Sequence, residues 1–227
     1  NVRGLGGGVK GLRAPIKFAL VTLVGLVLAW FFFYKLGYDT VHLPWGDWNI
    51  GWFMIPLFAF VVVATGNAVN ITDGLDGLAG GLAAMAFGFF GVIALLQGNL
   101  GVAGFCFTVV GALLSYTWFN LYPARFFMSD IGSFSLGASL GVVAMMTNTL
   151  FLLPIIGFVF VADAGTSMLQ ILSKKILHRK IFLSAPVHHH FEAIGWPETK
   201  VTMRFWIIGQ VCGVAGLVIA LAGGYIR

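Results

Sequence analysis

The sequence predicts an all-α protein: a polytopic transmembrane helical bundle. Three observations predict it. Hydrophobic residues make up 59% of the chain and charged residues only 9%, against about 25% charged in an ordinary soluble domain. The mean hydropathy is +0.95. The apolar residues gather into long, uniform runs. Hydrocarbon admits only helices or closed barrels, because each backbone polar group must be satisfied within the chain, and these runs are too long for barrel strands.

Seven apolar runs can be delimited, at 15–36, 51–66, 77–96, 99–119, 132–148, 150–172 and 203–223. A span needs about 20 apolar residues, so the second and fifth are expected to tilt little or to borrow flanking residues. Between the first two runs, the loop 37–50 predicts a small hairpin. Trp45, Trp48 and Trp52 stand there as an interfacial aromatic belt would. Cys106 and Cys212 lie inside apolar runs and read as packing residues. Gly137-xxx-Gly141 and Gly209-xxx-Gly213 match the small-residue pattern of close helix packing. Packing within the chain is the first reading of both and a homodimer the second. Residues 1–227 form one membrane domain with no soluble domain attached. The chain opens on Asn1 with a loop-like stretch, and further spans are expected upstream of it.

Basic residues give the orientation. Arg3, Lys10, Arg13, Lys17, Arg125, Lys174, Lys175, Arg179, Lys180, Lys200 and Arg204 fall on one side of the predicted bundle, and only Lys35 and Arg227 on the other. The first group is therefore expected in the cytoplasm, with the 67–77 segment, the 120–131 loop and the 173–201 loop. The net charge of +5 is mostly this topology signal, with anionic membrane lipids or phosphates as its natural partners. Nucleic-acid binding has no support.

Three polar groupings meet on that face. The first is Asn67-Ala-Val-Asn70-Ile-Thr72-Asp73-Gly74-Leu75-Asp76-Gly77, with two of the chain's eight acidic residues. Asn67, Asn70, Asp73 and Asp76 recur every third position. A step of three turns through about 300° on a straight helix, so the four line a cavity wall or the backbone breaks near Thr72-Asp73-Gly74. Helix capping by Thr72 or Asp73 is the plain alternative, but it leaves Asn67, Asn70 and the paired carboxylates unexplained. The second grouping is Phe126-Phe127-Met128-Ser129-Asp130-Ile131-Gly132-Ser133, preceded by Asn120. A carboxylate at the mouth of a span suits a hard cation such as Mg²⁺, or simply caps the helix that begins near Gly132. The third is Ser184-Ala-Pro186-Val-His188-His189-His190-Phe191-Glu192, beside Lys174, Lys175, Arg179 and Lys180. Contiguous histidines cannot all reach one ion from a regular backbone, so phosphate contact fits better than zinc. Within the sixth run, Asp163 is expected to face the interior, and Gln170 lies close enough to the cytoplasm to line the cleft. Carboxylates, a divalent ion and basic groups at a membrane surface together suit phosphoryl transfer, where catalysis is positioning and charge neutralisation.

On these residues the chain resembles the polyprenyl-phosphate N-acetylhexosamine-1-phosphate transferases. The likeness covers essentially the whole chain, and Pro186-Val-His188-His189-His190-Phe191-Glu192 points to the phospho-N-acetylmuramoyl-pentapeptide branch of that superfamily. The resemblance implies transfer of a phospho-sugar from UDP-N-acetylmuramoyl-pentapeptide to undecaprenyl phosphate, giving lipid I and UMP with Mg²⁺ as cofactor. It implies Asp130 as the metal ligand, with Asn70, Asp73, Gly74, Leu75 and Asp76 lining the nucleotide cleft; Asn67, in the same polar segment, is a further candidate substrate-binding residue. The resemblance places Asn120 and Phe127 on the uracil side, and Gln170 with His188, His189 and His190 completing the donor site. The family has ten spans, of which these seven match the last. Its paired aspartates lie before this region, Ser129 replaces a usual glycine, and Asp163 stands where a glutamate is expected. A related transferase using UDP-N-acetylglucosamine is the nearer alternative, distinguished by donor competition. A secondary transporter is the distant one. It is disfavoured because the polar residues gather at one face and not at the membrane centre.

Overall fold

The computed structural model describes residues 14–226, and side chains from residue 16. Arg3, Lys10, Arg13 and Arg227 of the topology argument lie outside them. The order is α1 (Ala14–Leu36), β1 (Thr40–Leu43), β2 (Gly46–Asn49), a short 3-10 turn (Gly51–Phe53), α2 (Met54–Thr72), α3 (Leu78–Leu96), α4 (Leu100–Asn120), α5 (Asp130–Met146), α6 (Leu153–Ile156), α7 (Phe158–Ile176), α8 (Val187–Ala193) and α9 (Glu198–Ala222).

Five helical segments are long and apolar enough to cross a membrane among the described residues: Ile16–Leu36, Gly51–Thr72, Leu78–Leu96, Leu100–Asn120 and Glu198–Ala222. The shorter apolar helix α5 stands beside them. The protein is thus a polytopic helical membrane protein, with a correction to the seven expected spans. The run 150–172 is not one helix. It divides at Gly157 into α6 and α7. The buried residues of α7 include Asp163, Gln170 and Ser173, while Val161, Met168, Leu169, Ile171 and Leu172 are exposed. That polarity is inverted, as befits a helix whose apolar side meets lipid and whose polar side meets protein.

The central helix α3 packs on α4, α9, α5 and α2, and α2 packs on α1, α5 and α7. The glycine pairs make the close approaches. A Cβ on Gly137 would come within 2.3 Å of the Thr65 carbonyl oxygen, and one on Gly141 within 2.6 Å of Thr65 Oγ1, so α5 lies against the backbone of α2. Gly209 and Gly213 bring α9 onto Leu82 and Phe89 of α3 in the same way. Both pairs pack within the chain.

The loop 37–50 forms the expected hairpin, with Val41 opposite Trp48 and His42 opposite Asp47. Trp45, Trp48 and Trp52 are exposed at that end of the bundle. Asn148 ties the hairpin down, accepting from the His42 N–H at 3.0 Å and donating to the Thr40 carbonyl at 3.1 Å. The opposite end holds the start of α1, the α2–α3 turn, the end of α4, the start of α5, and α8.

Candidate active site

Helix α2 runs six residues past the expected end at 66, because its polar residues are satisfied within it. Asn67 Nδ2 donates to the Val63 carbonyl at 2.7 Å, and the Thr72 hydroxyl to the Ala68 carbonyl at 3.0 Å. The helix then stops at Asp73, whose ψ of 53° leaves the helical region. The backbone therefore breaks at Thr72-Asp73-Gly74, so Asp73 and Asp76 do not continue the helical face of Asn67 and Asn70. Helix α3 starts after Gly77, which sits at φ 75°, a conformation natural to glycine, with no side-chain cap. Neither Thr72 nor Asp73 caps α3.

The turn is gripped from three elements. Asp76 Oδ2 accepts from the Ala124 N–H at 2.9 Å, and Glu198 Oε1 accepts from the Asp76 N–H at 2.6 Å. Asn120 Oδ1 accepts from the Gly77 N–H at 3.0 Å, while its Nδ2 donates to the Phe126 carbonyl at 2.9 Å. Thr202 Oγ1 and Trp206 Nε1 donate to the carbonyls of Asp76 and Gly77, each at 3.2 Å. The end of α4, the loop after it and the start of α9 thus set the turn. Leu75, placed in the cleft by the sequence, is buried in the core and anchors the turn from beneath.

Asp130 is the first residue of α5, and Ser129 holds the N-cap position without a side-chain cap bond. Asp130 is therefore not the cap. Asn70 Nδ2 donates to Asp130 Oδ1 at 3.2 Å and to Ser133 Oγ at 2.9 Å, and the Lys17 ammonium pairs with Asp130 Oδ2. Two motifs 60 positions apart are thereby joined.

The third motif arrives through α8. Successive helical residues point about 100° apart, yet the His188 and His189 rings stay together, 4.3 Å between centroids, and only His190 turns away. His188 is wholly buried, and a Cβ on Gly74 would come within 2.6 Å of its Nε2 and 3.3 Å of His189 Nε2. Gly74 is glycine because these rings fill the space a side chain needs. His189 Nδ1 is 2.6 Å from Glu192 Oε2. His190 turns elsewhere: its Nδ1 accepts from the Leu183 N–H at 3.3 Å.

The profile of the family described as glycosyl transferase family 4 matches residues 3–148. This chain belongs to glycosyl transferase family 4. Among curated relatives it is similar to the phospho-N-acetylmuramoyl-pentapeptide-transferase of Geobacillus thermodenitrificans, 41% identical over 212 residues, covering 92% of this chain and 65% of the relative. It is 43% identical over 199 residues to the protein of that name from Geobacillus kaustophilus (86% of this chain, 61% of the relative). It is 41% identical over 228 residues to that of Chloroflexus aggregans (94% and 62%). The chain thus spans somewhat under two thirds of the length of these relatives.

In this family member the electrostatics centre on Asp73. Burial, and then the negative charge of Asp130, push its carboxyl up to about 6. Its carboxylate makes no side-chain hydrogen bond among the described residues, unlike Asp76 and Asp130. Phe127 is 71% exposed. Gln170 is committed: its Oε1 accepts from the Ile181 and Phe182 N–H groups at 3.0 and 3.1 Å, and its Nε2 donates to the Phe182 carbonyl at 2.9 Å. It forms part of the wall of a cavity of about 320 Å³ with Ser167, Lys174, Lys180 and Ser184.

Sequence reasoning missed Lys17, Glu198, Ser133 and the partner of Asp163. No local signal points to Lys17, which meets its partner across 113 positions. Glu198 follows Pro197 at the start of a helix, and there reads as a charge complementing the helix dipole. Only the fold shows it holding the site turn.

Proposed function

We propose that the protein transfers phospho-N-acetylmuramoyl-pentapeptide from its UDP donor to undecaprenyl phosphate. The products are lipid I and UMP, for peptidoglycan synthesis at the cytoplasmic face of the bacterial plasma membrane. One observation carries the reading: His188 and His189 close on Gly74 while Asp130 lies near enough to Asp73 to raise its carboxyl. Three sequence-distant polar motifs thus form one locus on the face where Lys17 and Glu198 also stand. The names of the relatives supply the substrate.

The residues fit Mg²⁺. That ion is held by one or two carboxylates, with waters and phosphate oxygens completing its shell. Asp73, half-buried beside a second carboxylate and with no side-chain hydrogen bond among the described residues, has the excess negative charge such an ion relieves. Asp130 and Asp73 would hold it, and bound there it would neutralise charge on the phosphates during transfer. Asn70 fixes the Asp130 rotamer. Lys17 supplies a second cation at the same carboxylate.

An apolar cavity of about 490 Å³ runs along α2 from Leu57 to Val69, walled by Leu140, Leu153, Phe160 and Met168. Twelve helical residues advance about 18 Å, and Val69 lies one turn before Asp73. A polyprenyl tail seated there would present its phosphate to the site from within the bilayer.

The test is reconstitution in lipid nanodiscs with UDP-N-acetylmuramoyl-pentapeptide, undecaprenyl phosphate and Mg²⁺. UMP and a lipid-linked sugar form together, and chelation stops both. Turnover of UDP-N-acetylglucosamine with none of the muramoyl donor would reassign the substrate. Vectorial flux without UMP would overturn the transferase reading.

A further inference from the structure

Asp163 is the one wholly buried carboxylate among the described residues, and it lies on α7. A carboxylate in that setting requires a partner. No lysine or arginine pairs with it among the described residues, and His188 supplies both of its contacts. Asp163 Oδ2 lies 3.0 Å from His188 Nδ1, and Oδ1 accepts from the His188 backbone N–H at 3.4 Å. The carboxylate thus holds both the ring and the main chain of one residue. The other ring nitrogen, Nε2, is buried and faces Gly74; neither ring nitrogen has a hydrogen bond among the described residues, the Nδ1–Oδ2 approach being a close contact without hydrogen-bond alignment. His189 and His190 differ: each has its Nδ1 engaged, by Glu192 and by the Leu183 N–H, and neither is fully buried.

We infer that Asp163 is a positioning residue, orienting His188 so that Nε2 meets a hydroxyl or amide N–H of the sugar donor at the Gly74 turn. The chemistry follows from the imidazole. A neutral ring has one donor and one acceptor nitrogen, and a carboxylate 3.0 Å from Nδ1 favours the proton on that nitrogen. Nε2 then presents a lone pair, which accepts from a hydroxyl or amide and repels a phosphate oxygen. Asparagine at 163 can turn its amide and donate to Nδ1, which reverses the tautomer without removing the packing.

The inference rests on the transferase reading, and the experiment separates the two. Histidine-¹⁵N-labelled protein in nanodiscs, assigned against His188→Gln, is examined by NMR. In the unmodified protein His188 is protonated at Nδ1 and bare at Nε2, and its Nε2 resonance moves on adding UDP-N-acetylmuramoyl-pentapeptide but not UMP. A His188 protonated at Nε2, or one indifferent to the UDP-sugar when calorimetry shows it bound, overturns the inference without need of an Asp163 variant. Asp163→Asn weakens UDP-sugar binding at least tenfold and leaves UMP binding unchanged, while Asp163→Glu recovers most of the loss. Equal losses for both ligands, with a lowered melting temperature, would make Asp163 a purely structural clamp and also overturn it. An unmodified protein that binds neither ligand removes the transferase reading and this ligand with it, while the tautomer remains measured.

Discussion

Asp130 carries its charge between an amide and an ammonium, Asn70 on one oxygen and Lys17 on the other. Asp130→Asn keeps the shape and removes the charge, so UMP release falls about a hundredfold or more while the melting temperature stays put. Near-normal turnover at ordinary Mg²⁺ would end its assignment as metal ligand. Asp73 is the opposite case, a carboxyl pushed up from 3.8 to about 6 by burial and by Asp130. Below about pH 4 it is protonated folded or unfolded. Between about 4 and 6 folding takes up a proton, so its contribution to stability falls as pH rises, and above about 6 its full cost is present. Asp73→Asn therefore melts higher than the parent at pH 7.5 without metal or nucleotide, and the gap closes toward pH 4. A parent protein as stable as the variant at both pH values would refute this. The same substitution lowers transfer, the usual trade at a functional charge.

The joints between elements set the scale at which residues meet. Asn70 reaches Asp130 because α5 lies directly on the backbone of α2 at Gly137 and Gly141. Gly137→Ala places a methyl within 2.3 Å of the Thr65 carbonyl oxygen, and that oxygen belongs to a helix that cannot yield locally. Overpacking of this kind costs about 1–3 kcal/mol, read as a lower unfolding midpoint, and it parts Asn70 from Asp130, so transfer falls as well. Full activity with unchanged stability would mean that α5 has another way to sit. Helix α7 shows how the small-residue and polar signals combine. Gly157 breaks the run, and the polar side of α7 then carries Asp163 to His188 and Gln170 to the loop at 181–182.

Across the whole molecule, polarity divides between two ends. One has the hairpin and Trp45, Trp48 and Trp52. The other has Lys17, Arg125, Lys174, Lys175, Arg179, Lys180, Lys200 and the candidate site. The excess of basic residues is the signal on which the proposed cytoplasmic placement of this second end rests. Single cysteines at Trp45 and Arg125, with Cys106 and Cys212 replaced by alanine, test this in intact cells. A membrane-impermeant maleimide labels Trp45→Cys directly and Arg125→Cys only after permeabilisation. The reverse pattern would invert the topology and remove the site from a cytoplasmic donor.

By itself the sequence determined the helical membrane class, the ends of α1, α3 and α4 to within a residue or so, the hairpin, and which stretches carry chemistry. These follow from local quantities: run length, hydropathy, charge asymmetry and the rarity of polar groups near hydrocarbon. Only the tertiary structure decided what each polar residue does. Asp76 and Gln170 read from sequence as ligand contacts, and Asn120 from the family resemblance, and their hydrogen bonds hold the α2–α3 turn and the 181–182 loop. The three histidines read as one group, and α8 keeps His188 and His189 together at Gly74 while it turns His190 to the Leu183 N–H. Length alone made 150–172 a span, but length does not see that its polar residues must all face protein, which the break at Gly157 and the tilt of polarity in α7 accomplish. Pairings such as Lys17 with Asp130 and Asp163 with His188 join residues 113 and 25 positions apart. Such contacts depend on how the helices pack, and no periodicity within either segment encodes them.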